Sequence, residues 1–109
     1  MNAVFLRSAE LDLQELRQYL VQNFGTKTWR ASLRKIQDTV AAIEQHPRLG
    51  MVPPELEELQ MVQYRQVLSG SNRIIYELRG DTAYIHVVCD ARRDLKSLLL
   101  RRLVRGHRP

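Results

Sequence analysis

The fold is decided by residues 61–90, which read MVQYRQVLSGSNRIIYELRGDTAYIHVVCD. Apolar and polar side chains alternate here with the period of two that is typical of β-strands. The predicted strands are 61–68, 73–79 and 82–89. Residues 69–72 form the first predicted turn, and Gly80-Asp81 forms a tight two-residue turn between the last two strands. The stretch therefore predicts a three-stranded antiparallel meander.

The tight turn also fixes which side chains share a face of the sheet, because pairing Arg79 with Thr82 sets the register of the two strands. One face is apolar and is predicted to lie against the helices. It carries Ile74, Tyr76, Leu78, Ala83, Ile85 and Val87. The opposite face is predicted to be open. It carries Tyr64, Gln66, Arg73, Ile75, Glu77, Tyr84, His86 and Val88.

Upstream of the meander, apolar residues spaced three and four apart predict two helices. The first stripe covers residues 9–24, with Ser8 as the candidate N-cap and Gly25 as the stop. The second stripe covers residues 29–43 and ends before Pro47, because the residue before a proline avoids the helical conformation. The short connection between the two predicts an antiparallel helical hairpin.

A short apolar strand at residues 4–6 and a helix that begins after Asp94 complete the predicted element order, β-α-α-β-β-β-α. This order describes an α+β fold in a single domain that spans residues 1–109. Residues 106–109 are a candidate disordered tail.

The charge of the chain is distributed unevenly. Residues 1–60 carry 7 basic and 8 acidic side chains, whereas residues 61–109 carry 10 basic and 4 acidic ones. Arginine supplies 14 of the 17 basic residues, and its planar guanidinium binds phosphate or carboxylate in a two-pronged way. We therefore expect the C-terminal half to meet an anionic partner, either nucleic acid or an acidic protein segment.

The composition disfavours several other classes of protein. A single cysteine, Cys89, excludes an internal disulfide, and no spacing of His, Asp and Glu resembles a metal site. The sequence has no Gly-rich phosphate loop and no apolar run long enough to cross a membrane, and we expect no secretory signal. We expect a cytoplasmic protein that uses no metal and no cofactor.

Four local signatures follow one another along the chain. They are His46-Pro47-Arg48-Leu49-Gly50 after Ile43, Tyr64-Arg65, Arg73-Ile74-Ile75-Tyr76 and Asp90-Ala91-Arg92-Arg93-Asp94. With this element order and basic charge, the chain resembles the RelE/ParE superfamily of toxins from type II toxin–antitoxin systems over nearly its whole length. The resemblance implies a twisted antiparallel sheet with a helical hairpin packed against it.

The resemblance also implies partners and an activity. A toxin of this superfamily inhibits growth and is neutralised by an antitoxin from the same operon, which carries an acidic flexible segment and joins the toxin in a complex on operator DNA. RelE-like members cut mRNA on the ribosome. ParE-like members poison DNA gyrase and have no known hydrolytic site of their own.

For the RelE-like activity, the resemblance implies two arginines that stabilise phosphate charge. They fall at Arg73 and at Arg93, or at Arg92 if the alignment slips by one residue. His86 is a further candidate acid or base, since the pKa of an unperturbed histidine lies near neutrality. Arg73, Arg93 and His86 are catalytic only if the chain is an endonuclease.

Departures from the RelE-like pattern favour the ParE-like branch. The two lysines of RelE-like enzymes fall here at Tyr64 and Gln66, and their C-terminal tyrosine falls near Leu98 or Leu99. Without these groups the face is poor in proton-transfer residues, and we expect inhibition of DNA gyrase with no chemistry by this chain. RelE-like mRNA cleavage is the alternative. A degenerate toxin that only binds its antitoxin as a corepressor is a third hypothesis.

Binding roles are also predicted for surface residues. The candidates for target or nucleic-acid binding are Tyr64, Gln66, Arg73, Arg92 and Arg93. The candidates for antitoxin binding are Leu95, Leu98, Arg101 and Arg102. Arg65 points toward the helices, where an unpaired charge is costly, and a structural ion pair with Asp90 or Asp94 is predicted.

Overall fold

The computed structural model describes residues 1–104, with the side chains of residues 1–102. Its elements are β1 (Asn2–Phe5), α1 (Arg7–Phe24), α2 (Thr26–Gln45), α3 (Pro54–Glu57), β2 (Tyr64–Ser69), β3 (Asn72–Arg79), β4 (Thr82–Asp90) and α4 (Leu95–Val104). The predicted α+β order is confirmed, with the short helix α3 added before the meander. The tail predicted at residues 106–109 lies outside the described residues.

The strands form one sheet in the order β1-β4-β3-β2, in which β1 runs parallel to β4 and the meander is antiparallel. Arg79 pairs with Thr82, as the Gly80-Asp81 turn predicts. The turn between β2 and β3 is tighter than predicted, because Ser69 pairs with Asn72.

A β-bulge in β4 changes the predicted register. Tyr76 pairs with Ile85 and Ile75 pairs with Val87, so His86 is the extra residue of β4. An extra residue reverses the alternation of the side chains that follow it. As a result Val88 faces the helical hairpin and Val87 faces away from it, so the prediction is wrong for these two residues.

Helices α1 and α2 cover one face of the sheet. The buried core between them consists of Ala9, Ile36, Ile43, Ile74, Tyr76, Ala83, Ile85 and Val88. Gly25 alone joins the two helices with a φ of +95°, a conformation that residues with a Cβ rarely adopt. Ser8 is not the N-cap, because α1 begins at Arg7 and the Ser8 hydroxyl donates to the His86 carbonyl at 3.2 Å.

The face that was predicted to be open is covered by α3 and α4. This second core consists of Leu56, Tyr64, Ile75, Val87, Cys89, Leu95, Leu98 and Leu99. Asp94 caps α4 as predicted, since its carboxylate accepts hydrogen bonds from the Ser97 backbone N–H and hydroxyl at 3.1 and 2.8 Å. The prediction of an open face is wrong because the leucine stripe of α4 buries itself there.

Candidate functional site

Arg73 lies on β3, on the face covered by α3 and α4, and only 9% of the residue is exposed. Its Nη2 donates to both carboxylate oxygens of Glu55 on α3, at 3.1 and 2.9 Å. Its Nη1 is buried and makes no hydrogen bond within the described part of the chain. A buried guanidinium needs an anionic partner, and here Glu55 supplies it. Arg73 is therefore held by the protein itself and is not presented to a phosphate in solvent.

A second polar cluster surrounds Glu77 on the same face. The Glu77 Oε1 accepts a hydrogen bond from Arg79 Nη2 at 2.9 Å and lies 2.9 Å from His86 Nε2. Burial opposes the ionisation of Glu77, but the hydrogen bonds from Arg79 and His86 outweigh it and hold the pKa of this carboxyl below its ordinary value. Because an ionised carboxylate has no proton to give, the His86 ring is the donor in this pair.

Tyr64 is buried beside this cluster. Its ring meets the His86 ring edge-on, with the ring centroids 5.1 Å apart, and only 3% of the residue is exposed. Burial raises the pKa of its hydroxyl. Gln66, two residues further along β2, also has a buried side-chain oxygen. Tyr64 is therefore not presented at the surface and Gln66 is half-buried, and their role in binding a target stays a prediction.

The predicted catalytic residues have different partners within the protein. Arg73 and Glu77 are four residues apart on β3, which is about 13 Å at the ordinary rise of a strand, and His86 is bound to Glu77. Arg93 lies beyond β4 in the turn before α4, where it is exposed. Arg73 and His86 are therefore each bonded to a different carboxylate, Glu55 and Glu77 respectively.

A cleft of about 500 Å³ opens between the tip of the helical hairpin and the end of β4. It is lined by apolar, polar and charged residues of both signs: Asp12, Glu15, Leu16, Tyr19, Leu20, Phe24, Ser32, Ser71, Asn72, Val88, Cys89, Asp90, Arg92 and Arg93. Tyr19 and Phe24 pack edge to face with centroids 6.2 Å apart, yet they are 57% and 62% exposed. Neighbouring exposed aromatic side chains are typical of interaction surfaces.

The spacing of apolar residues does not reveal this aromatic pair, because Phe24 continues the apolar stripe predicted for α1. The sequence feature that indicates the exposure of Phe24 is its position at the last residue of the helix, next to Gly25. Of the predicted binding residues, Arg92 and Arg93 are exposed here and line the cleft. Arg92 also binds Asp90 through its Nε at 3.1 Å.

The signature around Gly50 is held in place by Tyr76 and Arg65. The Tyr76 hydroxyl donates to the Pro47 carbonyl at 2.7 Å and accepts from the Gly50 N–H at 2.9 Å. Arg65 Nη1 donates to the Gly50 carbonyl at 2.7 Å. A Cβ on Gly50 would lie 2.7 Å from the Gln66 carbonyl oxygen, so only glycine fits. These signature residues therefore fasten the loop after α2 to the sheet.

Arg65 thus has a carbonyl partner in place of the predicted carboxylate. Asp90 binds Arg92, and Asp94 caps α4. The inward direction of Arg65 is confirmed, but the ion pair predicted with Asp90 or Asp94 is wrong, because the nearby loop offers a backbone oxygen that satisfies the guanidinium.

Arg102 of α4 makes hydrogen bonds beside the β-bulge at His86. Its two terminal nitrogens donate to Asp12 Oδ1 and to the His86 carbonyl, each at 2.7 Å. Asp12 Oδ2 accepts from the Val88 N–H at 3.0 Å. Burial raises the pKa of Asp12 in spite of its bonds to Arg102 and Val88. These contacts satisfy backbone groups that the bulge removes from the ladder, and they tie α4 to α1.

Three of the four residues predicted to bind an antitoxin make contacts within the protein itself. Leu95 and Leu98 are buried on the side of α4 that packs in the second core, and Arg102 is paired with Asp12. Arg101 is exposed. The apolar stripe of α4 faces the sheet here, and the role of these four residues in antitoxin binding stays a prediction.

Within residues 1–102, no group of three or more His, Cys, Asp and Glu side chains is placed to hold a metal ion. None of the described helices combines the length and apolar character that crossing a membrane requires. Cys89 is a buried free thiol, and burial raises its pKa to about 11.

Comparisons with known proteins identify the family to which this chain belongs. A solved structure described as the chromosomal ParDE TA system from P. aeruginosa matches with a TM-score of 0.68 at 16% identity, covering 83% of this chain and 95% of that one. No curated protein gives a significant match. The family described as ParE toxin of type II toxin-antitoxin system, parDE, matches residues 3–98. The chain therefore belongs to the ParE toxin family, within the superfamily that its signatures indicated.

Proposed function

We propose that this ParE-family toxin inhibits growth by binding DNA gyrase and does not itself cleave RNA. The observation that supports this is the environment of Arg73, which is only 9% exposed and is ion-paired with Glu55 of α3, while His86 is bonded to a different carboxylate, Glu77. Metal-free RNA cleavage needs a cation at the phosphate together with an acid and a base. A stoichiometric inhibitor needs only a surface that fits its target.

The antitoxin in this proposal occupies the cleft at the hairpin tip. An acidic residue of the antitoxin would meet Arg92 and Arg93, and an apolar residue would cover the exposed rings of Tyr19 and Phe24. Burying these rings supplies binding energy, and Arg93, which has no ion pair among residues 1–102, is the cation available to an acidic side chain. Both gyrase and mRNA are cytoplasmic targets, so the toxin acts in the cytoplasm.

The first test is a supercoiling assay with purified bacterial gyrase and the full-length toxin. We expect loss of supercoiling, and in cells a pulse of expression should stop DNA synthesis before protein synthesis. Early mRNA cleavage with gyrase still active at a large excess of toxin would refute the proposal. If the cleft also serves gyrase, Arg92→Glu with Arg93→Glu weakens inhibition more than Arg7→Glu with Arg48→Glu, which changes the net charge equally elsewhere.

The second test concerns the antitoxin alone. Tyr19→Ser with Phe24→Ser should weaken binding of the cognate antitoxin about 100-fold or more, because two exposed aromatic anchors are lost. Leu11→Ser is the matched control, since Leu11 is also an exposed apolar residue of α1 but does not line the cleft. Equal affinity of the Tyr19/Phe24 variant and the wild type would place the antitoxin on another surface.

A second candidate function, RelE-like mRNA cleavage, is favoured by one observation. The Glu77–His86 pair joins a carboxylate to an imidazole, which is the kind of pair that can move protons in RNA cleavage. If this activity operates, Glu77→Gln and His86→Gln each abolish toxicity while antitoxin binding survives. Toxicity that persists in both variants would eliminate this function. A degenerate toxin would show no effect on growth at all.

A further inference from the structure

The outward face of α2 carries a row of cations that no contact among residues 1–102 explains. We name Lys27, Arg30 and Arg34 the α2 basic stripe; they lie three and four residues apart, and all three are exposed. Within residues 1–102, no carboxylate forms an ion pair with any of them. The first acidic residue of α2 is Asp38, one turn beyond the stripe.

The position of Lys27, at the start of the α2 basic stripe, does not stabilise the helix. The N-terminal end of a helix carries the positive end of the helix dipole, and cations there are unfavourable. The first turn of α2 nevertheless contains Lys27 and no acidic residue, and its last turn contains no basic residue. Helix stability would favour the opposite arrangement, so it does not account for Lys27 at the start of α2.

The chemistry of the stripe indicates a phosphate backbone. Lys27 to Arg34 covers about 10 Å of the helix axis, which matches the axial distance of about three to four phosphates along one DNA strand. Protein interfaces need an apolar centre, and the exposed apolar residue between Arg30 and Arg34 is the small Ala31, whereas the exposed Phe24 belongs to the lining of the cleft. Along the stripe itself an acidic protein would therefore find charge but no large apolar anchor.

We propose that the α2 basic stripe binds the backbone of duplex DNA, independently of sequence. The stripe lies on the outward side of α2, whereas the cleft at the hairpin tip is lined from α2 by Ser32, which is about half a turn away from Arg30 around the helix. A toxin whose cleft is filled still presents the stripe. This proposal does not depend on gyrase being the target, because it concerns a surface that lies away from the cleft.

The test measures fluorescence anisotropy of a labelled 20-base-pair duplex of arbitrary sequence, titrated with the full-length toxin at several salt concentrations. We expect Arg30→Glu with Arg34→Glu to weaken binding about tenfold or more and to reduce the salt dependence by about two phosphate contacts. Arg7→Glu with Arg48→Glu is the matched control, since both positions are exposed and the net charge changes equally. Arg30→Lys with Arg34→Lys should restore binding, because a phosphate contact of this kind requires charge.

Three results would overturn the proposal. One is equal weakening by the two charge-reversed variants, which would mean that net charge alone attracts DNA. Another is stronger competition by unlabelled single-stranded RNA or by polyglutamate than by unlabelled duplex, which would assign the stripe to RNA or to an acidic protein. The third is the absence of binding by the wild type at low salt. Matching thermal unfolding curves of all variants would exclude misfolding as the cause of a loss.

Discussion

The two faces of the sheet are stabilised in different ways. On the hairpin side, Tyr76 and Arg65 fasten the loop at Gly50 through backbone groups, and apolar side chains fill the rest. On the α4 side, Arg73 and Glu77 lie in ion pairs at the edges of an apolar core. The signature residues therefore divide into two groups. Tyr76, Arg65 and Gly50 on the hairpin side stabilise the fold, whereas the α4 side holds Arg73 and Glu77, the ionisable groups that a catalytic site would use.

The largest effect is expected at Gly50, on the hairpin side. Gly50→Ala would place a Cβ 2.7 Å from a backbone oxygen and 2.8 Å from the Tyr76 hydroxyl, neither of which can move freely. We expect the free energy of unfolding to fall by about 3 kcal/mol. Chemical denaturation measures this loss, and Leu49→Ala at the exposed neighbour should change it by less than about 0.5 kcal/mol. Equal losses would show that the loop is not fastened through Gly50.

The next effect concerns the contact that ties α4 to α1. Arg102→Met would leave the buried carboxylate of Asp12 without its cation, and we expect a loss of about 2 to 3 kcal/mol in the free energy of unfolding. Adding Asp12→Asn removes the unpaired carboxylate charge, so the double variant should recover part of the lost free energy of unfolding. Additive losses in this double-mutant cycle would contradict the pair.

A smaller loss is expected from Tyr76→Phe. This change leaves the Gly50 N–H and the Pro47 carbonyl without their hydroxyl partner but keeps the ring in the core. The expected cost is about 1 to 2 kcal/mol and should not vary between pH 5 and pH 8, because neither backbone group titrates. Tyr84→Phe is the control, since its hydroxyl makes no hydrogen bond to residues 1–102 and its loss should cost little.

The α4 side should respond to acid. The pKa of Glu77 is lower in the folded protein than its ordinary value of 4.5, so its stabilisation is present above that value and is lost as the pH falls through the folded pKa. At pH 7, Glu77→Gln should lower the free energy of unfolding by about 1 kcal/mol. The difference from the wild type should shrink on acidification, whereas Glu57→Gln at an exposed position should show no such trend. A constant difference would contradict the ion pair.

The smallest expected signal is the slow modification of Cys89. Its thiol is buried beneath α4 and, with a pKa of about 11, is almost entirely protonated at pH 8. A thiol reagent should therefore label the native toxin slowly and the unfolded chain quickly. Arg102→Met should accelerate labelling if α4 is held by its bond to Asp12. Rapid labelling of the wild type would show that α4 does not cover Cys89.

Much of the fold could be predicted because its signals are local. The Gly80-Asp81 turn set the pairing of Arg79 with Thr82, and Asp94 marked the start of α4 through its own side chain. The hairpin followed from the spacing of apolar residues and from Gly25. The candidate site was predicted less well, because exposure and charge pairing depend on residues that lie far apart in the sequence. Nothing near Arg73 in the sequence indicates that Glu55 binds it.

The sequence by itself determined the element order, the family and the residues of the Gly50 loop that signatures identify. Only the tertiary structure decided where the ionisable groups lie. The bulge at His86 is completed by Asp12 and Arg102, and these residues come from two helices at opposite ends of the chain. A strand pattern cannot show an extra residue whose backbone bonds are satisfied from outside the sheet. For the same reason it could not show that α4 would cover the face on which Arg73 lies.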